Sequence, residues 1–79
     1  MENRIKKILG NIFNINPNLI NKKTSSSNIA KWDSLKHMNL IMALEEEFNT
    51  EFTDEEIVYI MSYSRIVAVL KKKLSAAKY

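Results

Sequence analysis

Asp33-Ser34-Leu35-Lys36-His37-Met38-Asn39-Leu40-Ile41-Met42-Ala43-Leu44-Glu45-Glu46-Glu47-Phe48 is the most regular stretch of this 79-residue chain. Successive helical residues turn by about 100°. With Leu35 at zero, Leu40, Ile41, Leu44 and Phe48 fall in one arc, between roughly 140° and 240°. That spacing predicts a helix over 33–48 with one core face, and Asp33 is a good N-cap for it. Leu35, Met38 and Met42 fall on a second stripe, between roughly 300° and 360°, flanked by Glu45 and Glu46. Two readings of that stripe are open. A central helix of a small bundle can be packed by neighbours on two sides, or the stripe can be an adaptable docking patch, for which methionine is suited. Flanking carboxylates would then add steering and register.

Downstream, Asn49-Thr50 breaks the pattern. Thr53-Asp54-Glu55-Glu56 has the form of a capping box and predicts a short third helix through Ile57, Val58, Ile60 and Met61. Ser64 is the expected cap of a fourth helix bearing Ile66, Val67, Leu70 and Leu74, closed by Lys71-Lys72-Lys73 at the negative end of its dipole. The tail from Ser75 to Tyr79 is expected to fray. Upstream, Ile5, Ile8, Leu9, Ile12 and Phe13 mark an amphipathic first helix ending near Asn14, before Pro17. Between the two lies a long segment with a turn signal at Asn16-Pro17-Asn18 and a polar cluster at Thr24 to Asn28. Leu19, Ile20, Ile29 and Trp32 are its expected anchors to the core, and a helical turn inside it would fit. The prediction is a single all-α domain over 1–79, a small four-helix bundle with helices at about 2–14, 33–48, 53–61 and 64–75. Its third helix is short, and a long loop joins helices one and two.

Composition supports this and narrows function. One glycine and one proline are too few for a turn-rich β fold. The absence of cysteine excludes a disulfide, a thiolate metal site and a cysteine nucleophile. A chain this short has little room for a cleft between lobes, which argues against an enzyme. The start is too polar for a signal peptide and no run approaches the length of a membrane span, so a cytoplasmic protein without stable membrane insertion is expected. The net charge of +3 hides an uneven layout. Residues 1–33 carry net +4, residues 34–63 net −6 and residues 64–79 net +5. Two basic segments flank an acidic centre, a poor pattern for a nucleic-acid binder, which gathers its cations on one surface.

Ser34 stands in the first turn of the central helix. Unpaired backbone N–H groups and the positive end of the dipole would both stabilise a phosphate ester there. Asp33 is a cap and a candidate magnesium contact during phosphate transfer. On local physics alone the pair can equally be a plain capping pair, because Asp and Ser crowd helix starts.

The wider pattern resembles a known family. Asp33-Ser34-Leu35, followed by Leu40-Ile41-Met42-Ala43-Leu44-Glu45-Glu46-Glu47-Phe48 and then Asp54-Glu55-Glu56, is similar to the acyl carrier proteins. The likeness is close over Asp33 to Glu56 and extends to the rest by helix order. It implies a four-helix bundle whose serine, at Ser34, is modified by a phosphopantetheinyl transferase using coenzyme A and magnesium. The 4′-phosphopantetheine arm would hold an acyl-type group as a thioester and supply the thiol that the chain lacks. The carrier would be a monomer that does no chemistry itself. It would deliver cargo to acyl- or amino-acyl-loading and acyl-transferring enzymes docking on Leu35, Met38, Met42, Glu45, Glu46, Asp54, Glu55 and Glu56.

The chain departs from the fatty-acid members in several places. Those are usually strongly acidic, often with a glycine near the serine, where this chain has Lys31-Trp32. At two commonly acidic positions of the second helix it has Lys36 and Asn39. The Trp-Asp-Ser-Leu form looks more like specialised standalone carriers of polyketide, amino-acyl or peptidyl, or surface-polysaccharide pathways.

Two features invite other readings. Asp33, Ser34 and His37 match the residue types of a hydrolase triad, but the same wheel turns His37 to about 200°, toward the core arc, and Ser34 to about 260°. His37 is expected to close one end of the core and border any cavity sheltering a bound chain. Lys71-Lys72-Lys73 is expected to be a solvated helix end, the alternative being contact with an anionic partner or membrane. The classes that compete with a carrier are a small helical nucleic-acid-binding module and an unmodified protein-interaction domain.

Overall fold

The computed structural model describes residues 1–76 and contains four helices: α1 (Glu2–Phe13), α2 (Ser34–Phe48), α3 (Asp54–Tyr59) and α4 (Tyr63–Ala76). A 3-10 turn at Pro17–Leu19 interrupts the long connection between α1 and α2. The expected fraying of the tail falls partly on residues 77–79, which lie outside the described residues; α4 itself continues past Ser75 to Ala76.

The core is a single cluster. Ile5, Leu9 and Phe13 of α1 meet Leu40, Ile41, Leu44 and Phe48 of α2 and Ile66 and Leu70 of α4. Ile20, Ile29 and Trp32 seal it from the long connection, and Phe52 and Ile60 from either end of α3. The three long helices, α1, α2 and α4, each contribute residues spaced four apart, the periodicity that sets one face inward.

Both long helices that end inside the chain stop in a left-handed residue. Asn14 (φ 56°, ψ 50°) closes α1 and Asn49 (φ 50°, ψ 54°) closes α2. Asparagine tolerates this conformation better than other side chains, so it does the work usually left to glycine. The one glycine serves a different end. A Cβ on Gly10 would stand 2.7 Å from the Ile15 carbonyl oxygen and 2.9 Å from Pro17 Cγ. Gly10 therefore lets the chain fold back against α1 immediately after its cap. Gly10→Ala is expected to lower the urea midpoint, because overpacking against backbone costs about 1–3 kcal/mol. The helix-propensity gain, about 1 kcal/mol at most, is smaller. A midpoint at or above that of the wild type would show that the loop moves aside freely.

The long connection is ordered by its own polar side chains. Asn28 accepts from the Ser25 N–H (2.9 Å) and donates to the Lys23 carbonyl (2.6 Å), while Thr24 accepts from the Asn21 N–H (3.0 Å). Ser25 and Ser62 form an isolated antiparallel bridge, with Ser26 N–H donating to Met61 O (2.9 Å) and Tyr63 N–H to Thr24 O (2.9 Å). Three expectations are corrected here. Leu19 is not an anchor: it is 68% exposed, whereas Ile20 is buried. None of the residues of the 3-10 turn is buried, and the chain becomes extended only at its cap, Ile20 (φ −84°, ψ 129°), whose side chain enters the core. Helix α3 ends at Tyr59 rather than Met61, because residues 61–63 pair with residues 24–26 and the chain reaches them through a tight turn at Ile60 (φ −82°, ψ 59°), where the Met61 N–H donates to the Tyr59 carbonyl (2.8 Å). The N-terminal cap of α4 is Ser62 rather than Ser64; its hydroxyl accepts from the Arg65 N–H (3.2 Å), and Ser64 donates instead to the Lys22 carbonyl (2.8 Å).

Side-chain ties hold the bundle ends. Tyr63 donates to Glu2 (3.1 Å), and burial, reinforced by that carboxylate, pushes its phenol up to about 12. The capping box of α3 is complete, Thr53 and Glu56 each bonding the other's backbone N–H. Lys73 also donates to Glu56 (2.8 Å) and lies 5.5 Å from the Phe52 ring centroid, so the lysine run is not wholly a solvated end.

Candidate functional site

Ser34 is the first residue of α2 and is exposed. Its hydroxyl is not needed for the cap. Asp33, in extended conformation (φ −106°, ψ −176°), takes that role by accepting the Lys36 N–H at Oδ1 (2.8 Å). The serine is therefore held in a fixed backbone position while its side chain faces solvent. It lies on the rim of an open groove of about 440 Å³ lined by Trp32, Asp33, Ser34, His37, Met38 and Met61. The floor is rigid aromatic surface and the walls are flexible thioether side chains.

His37 forms that floor and is 7% exposed. Its Nδ1 lies 2.9 Å from Trp32 Nε1 and its Nε2 lies 2.7 Å from the Ile57 carbonyl oxygen. An indole N–H can only donate and a carbonyl can only accept. Nδ1 is thus the acceptor and Nε2 carries the proton. Both nitrogens are spent on structural partners, leaving none to activate Ser34. The triad reading is excluded on geometry, and His37 instead ties the long connection, α2 and α3 together.

The second stripe of α2 is free. Leu35 is 70%, Met38 46% and Met42 57% exposed, which removes the reading in which neighbouring helices pack on both sides. Val58 and Tyr59 of α3 add exposed apolar surface that the sequence reading missed, having assigned Val58 to the apolar face. The signal was available: Val58 lies about 100° from Ile57 and about 160° from Ile60, the residues that set the inward face. Arg65 covers the Tyr59 ring at 4.7 Å and donates to its carbonyl (3.3 Å).

The acidic residues divide into two groups. Glu46, Asp54 and Glu55 are exposed. Glu45 and Glu56, expected in the docking set, are engaged inside the molecule. Glu45 Oε2 accepts the Phe52 N–H (2.9 Å), bracing the turn after α2. Glu56 Oε1 accepts from both Lys73 and the Thr53 N–H (2.9 Å), and these bonds hold its carboxyl below its ordinary value of 4.5. A lowered carboxyl contributes stability that is complete above the unfolded pKa and is lost as pH falls through the folded one. Wild type is therefore expected to lose its advantage over Lys73→Met progressively as pH drops below 4.5, read by urea midpoints. The gap at pH 7 should be under about 1 kcal/mol, because water screens the pair. A gap that did not change with pH would show that Lys73 acts through its packing on Phe52 alone.

Among the described residues, no group of three or more His, Asp or Glu side chains could hold a metal ion, and no helix is long and apolar enough to cross a membrane. No family model matches the chain. It is 38% identical over 72 residues to an acyl carrier protein of Buchnera aphidicola subsp. Baizongia pistaciae (strain Bp), an alignment covering 91% of this chain and 92% of the relative.

Proposed function

Because the chain belongs to the acyl carrier protein family, and so is a carrier rather than an enzyme, we propose that Ser34 bears a 4′-phosphopantetheine arm holding an acyl-type group as a thioester. The observation that carries this reading is the position of Ser34, exposed in the first turn of a 15-residue helix whose cap belongs to its neighbour. The residues present fit the group. Early backbone N–H groups and the helix dipole favour the phosphodiester, and the groove beside Ser34 offers Trp32, Met38 and Met61 to the apolar parts of the arm. When bound, the arm supplies the thiol that forms the thioester. The chain's own residues orient it: Asp33 fixes the turn, and one carboxylate oxygen beyond the cap is available for a magnesium contact during transfer. Partner enzymes, a phosphopantetheinyl transferase first among them, would dock on Leu35, Met38 and Met42 with Glu46, Asp54 and Glu55 around them. Incubation with coenzyme A and a broad-range transferase should add the mass of one phosphopantetheine; no gain with several transferases would refute the reading.

A specialised pathway is favoured over general fatty-acid synthesis, with an amino-acyl or peptidyl cargo among the candidates. Lys36 lies two residues beyond Ser34 and Asn39 one turn further, where docking faces built for acidic carriers expect carboxylates. Loaded by the same fatty-acid enzymes, this carrier should turn over about tenfold or more slowly than an acidic one, as expected for misplaced rim charges acting on association. Equal turnover would overturn the specialised reading.

A further inference from the structure

The space between α2 and α3 beneath Ser34 is bridged by one connected layer. The Phe13 and Trp32 rings lie 4.8 Å apart, Trp32 and His37 are stacked at 6.0 Å, the indole N–H bonds His37, and His37 bonds the Ile57 carbonyl. Trp32 is 6% and His37 7% exposed, while Leu40 and Ile60 are fully buried. The groove at Ser34 lies above this layer and is open to water. A chain tethered at Ser34 that passed between the two helices through this layer would part both hydrogen bonds. That would leave an indole N–H and an imidazole N–H unpaired in apolar surroundings, which is strongly disfavoured.

We propose that Trp32 and His37 are specificity-determining residues: their bridge to Ile57 keeps the carried group in the surface groove, so the cargo is a short or polar acyl group rather than a long alkyl chain. This rests on Ser34 being the point of attachment. A long alkyl chain left in water gains nothing from the carrier, whereas a short or polar one needs no shelter.

The test compares acetyl and octanoyl forms made with a broad-range transferase and the corresponding acyl-coenzyme A. A chain buried in the folded state acts as a bound ligand, raising Tm and protecting the thioester. The expected result is cleavage of the two thioesters by hydroxylamine at rates within about twofold, and melting temperatures within about 2 °C. Protection of the octanoyl form by about tenfold or more would overturn the proposal. Trp32→Phe, which keeps a ring but loses the N–H, should make the octanoyl form measurably protected; an unchanged rate would remove the role from this bridge. A second arm is independent of phosphopantetheine. Because the chain has no cysteine, Ser34→Cys can be labelled at one site with methyl or octyl methanethiosulfonate. Equal reduction rates of the two mixed disulfides support the bridge, and slow reduction of the octyl form opposes it. A missing mass gain at loading counts against the attachment reading, while this arm still decides the bridge.

Discussion

Ser34→Ala is expected to gain no phosphopantetheine mass under conditions that convert the wild-type chain completely, and to keep the wild-type fold. The two halves of that result have separate causes. Loss of modification is total because the ester needs the hydroxyl oxygen. Stability is retained because the side chain is exposed and the cap belongs to Asp33. Substitutions away from buried groups usually stay within about 0.5 kcal/mol, so the melting temperature should lie within about 4 °C of wild type. Asp33→Ala supplies the contrast. It removes the cap, costs about 1 kcal/mol, and leaves the hydroxyl in place. A Ser34→Ala protein that still gained the mass would move the attachment point elsewhere. One that unfolded would show that Ser34 is structural.

The largest loss of stability is expected from Trp32→Ala. Its indole is 6% exposed, packs on Phe13 and gives its N–H to His37. Truncating a buried Trp costs about 3–5 kcal/mol, from lost transfer energy and the cavity left behind. Leaving His37 Nδ1 without a donor adds to this. A domain of this size has roughly 4–12 kcal/mol in all. The melting temperature should therefore fall by at least about 12 °C, and the variant should be partly unfolded at physiological temperature, followed by far-ultraviolet circular dichroism. Trp32→Phe, which keeps most of the volume, should cost about 1 kcal/mol, near the net worth of one hydrogen bond. A small effect of Trp32→Ala would mean that the long connection is not a necessary wall of the core.

How much of this could be read in advance depends on the range of the interaction. The core face of α2, the Asp33 cap and the Thr53–Glu56 box involve partners within one or two turns, so spacing alone exposed them. Helix ends at Asn14 and Asn49 were legible for the same reason. The early end of α3 was not, because its cause lies in the Thr24–Ser26 segment, more than 30 residues away. Nor did the wheel show that Glu45 and Glu56 are occupied by Phe52 and Lys73, since it ranks faces and is blind to partners on other elements.

The docking stripe shows the division most clearly. Periodicity separated Leu35, Met38 and Met42 from the core arc but left them free or covered. Only the packing of α1 on the other side of α2, with α4 against α1, leaves them exposed. His37 is the same case. Its direction on the wheel was set by sequence, and its chemistry by Trp32 and Ile57, which consume both ring nitrogens. The sequence by itself determined the four helices, the Asp33 and Thr53–Glu56 caps and the serine at the head of α2, because those follow from residue spacing within a few turns. Tertiary structure alone decided which carboxylates remain free, which anchors enter the core and what lies beneath Ser34, because each is a contact between segments that the chain's local pattern does not relate.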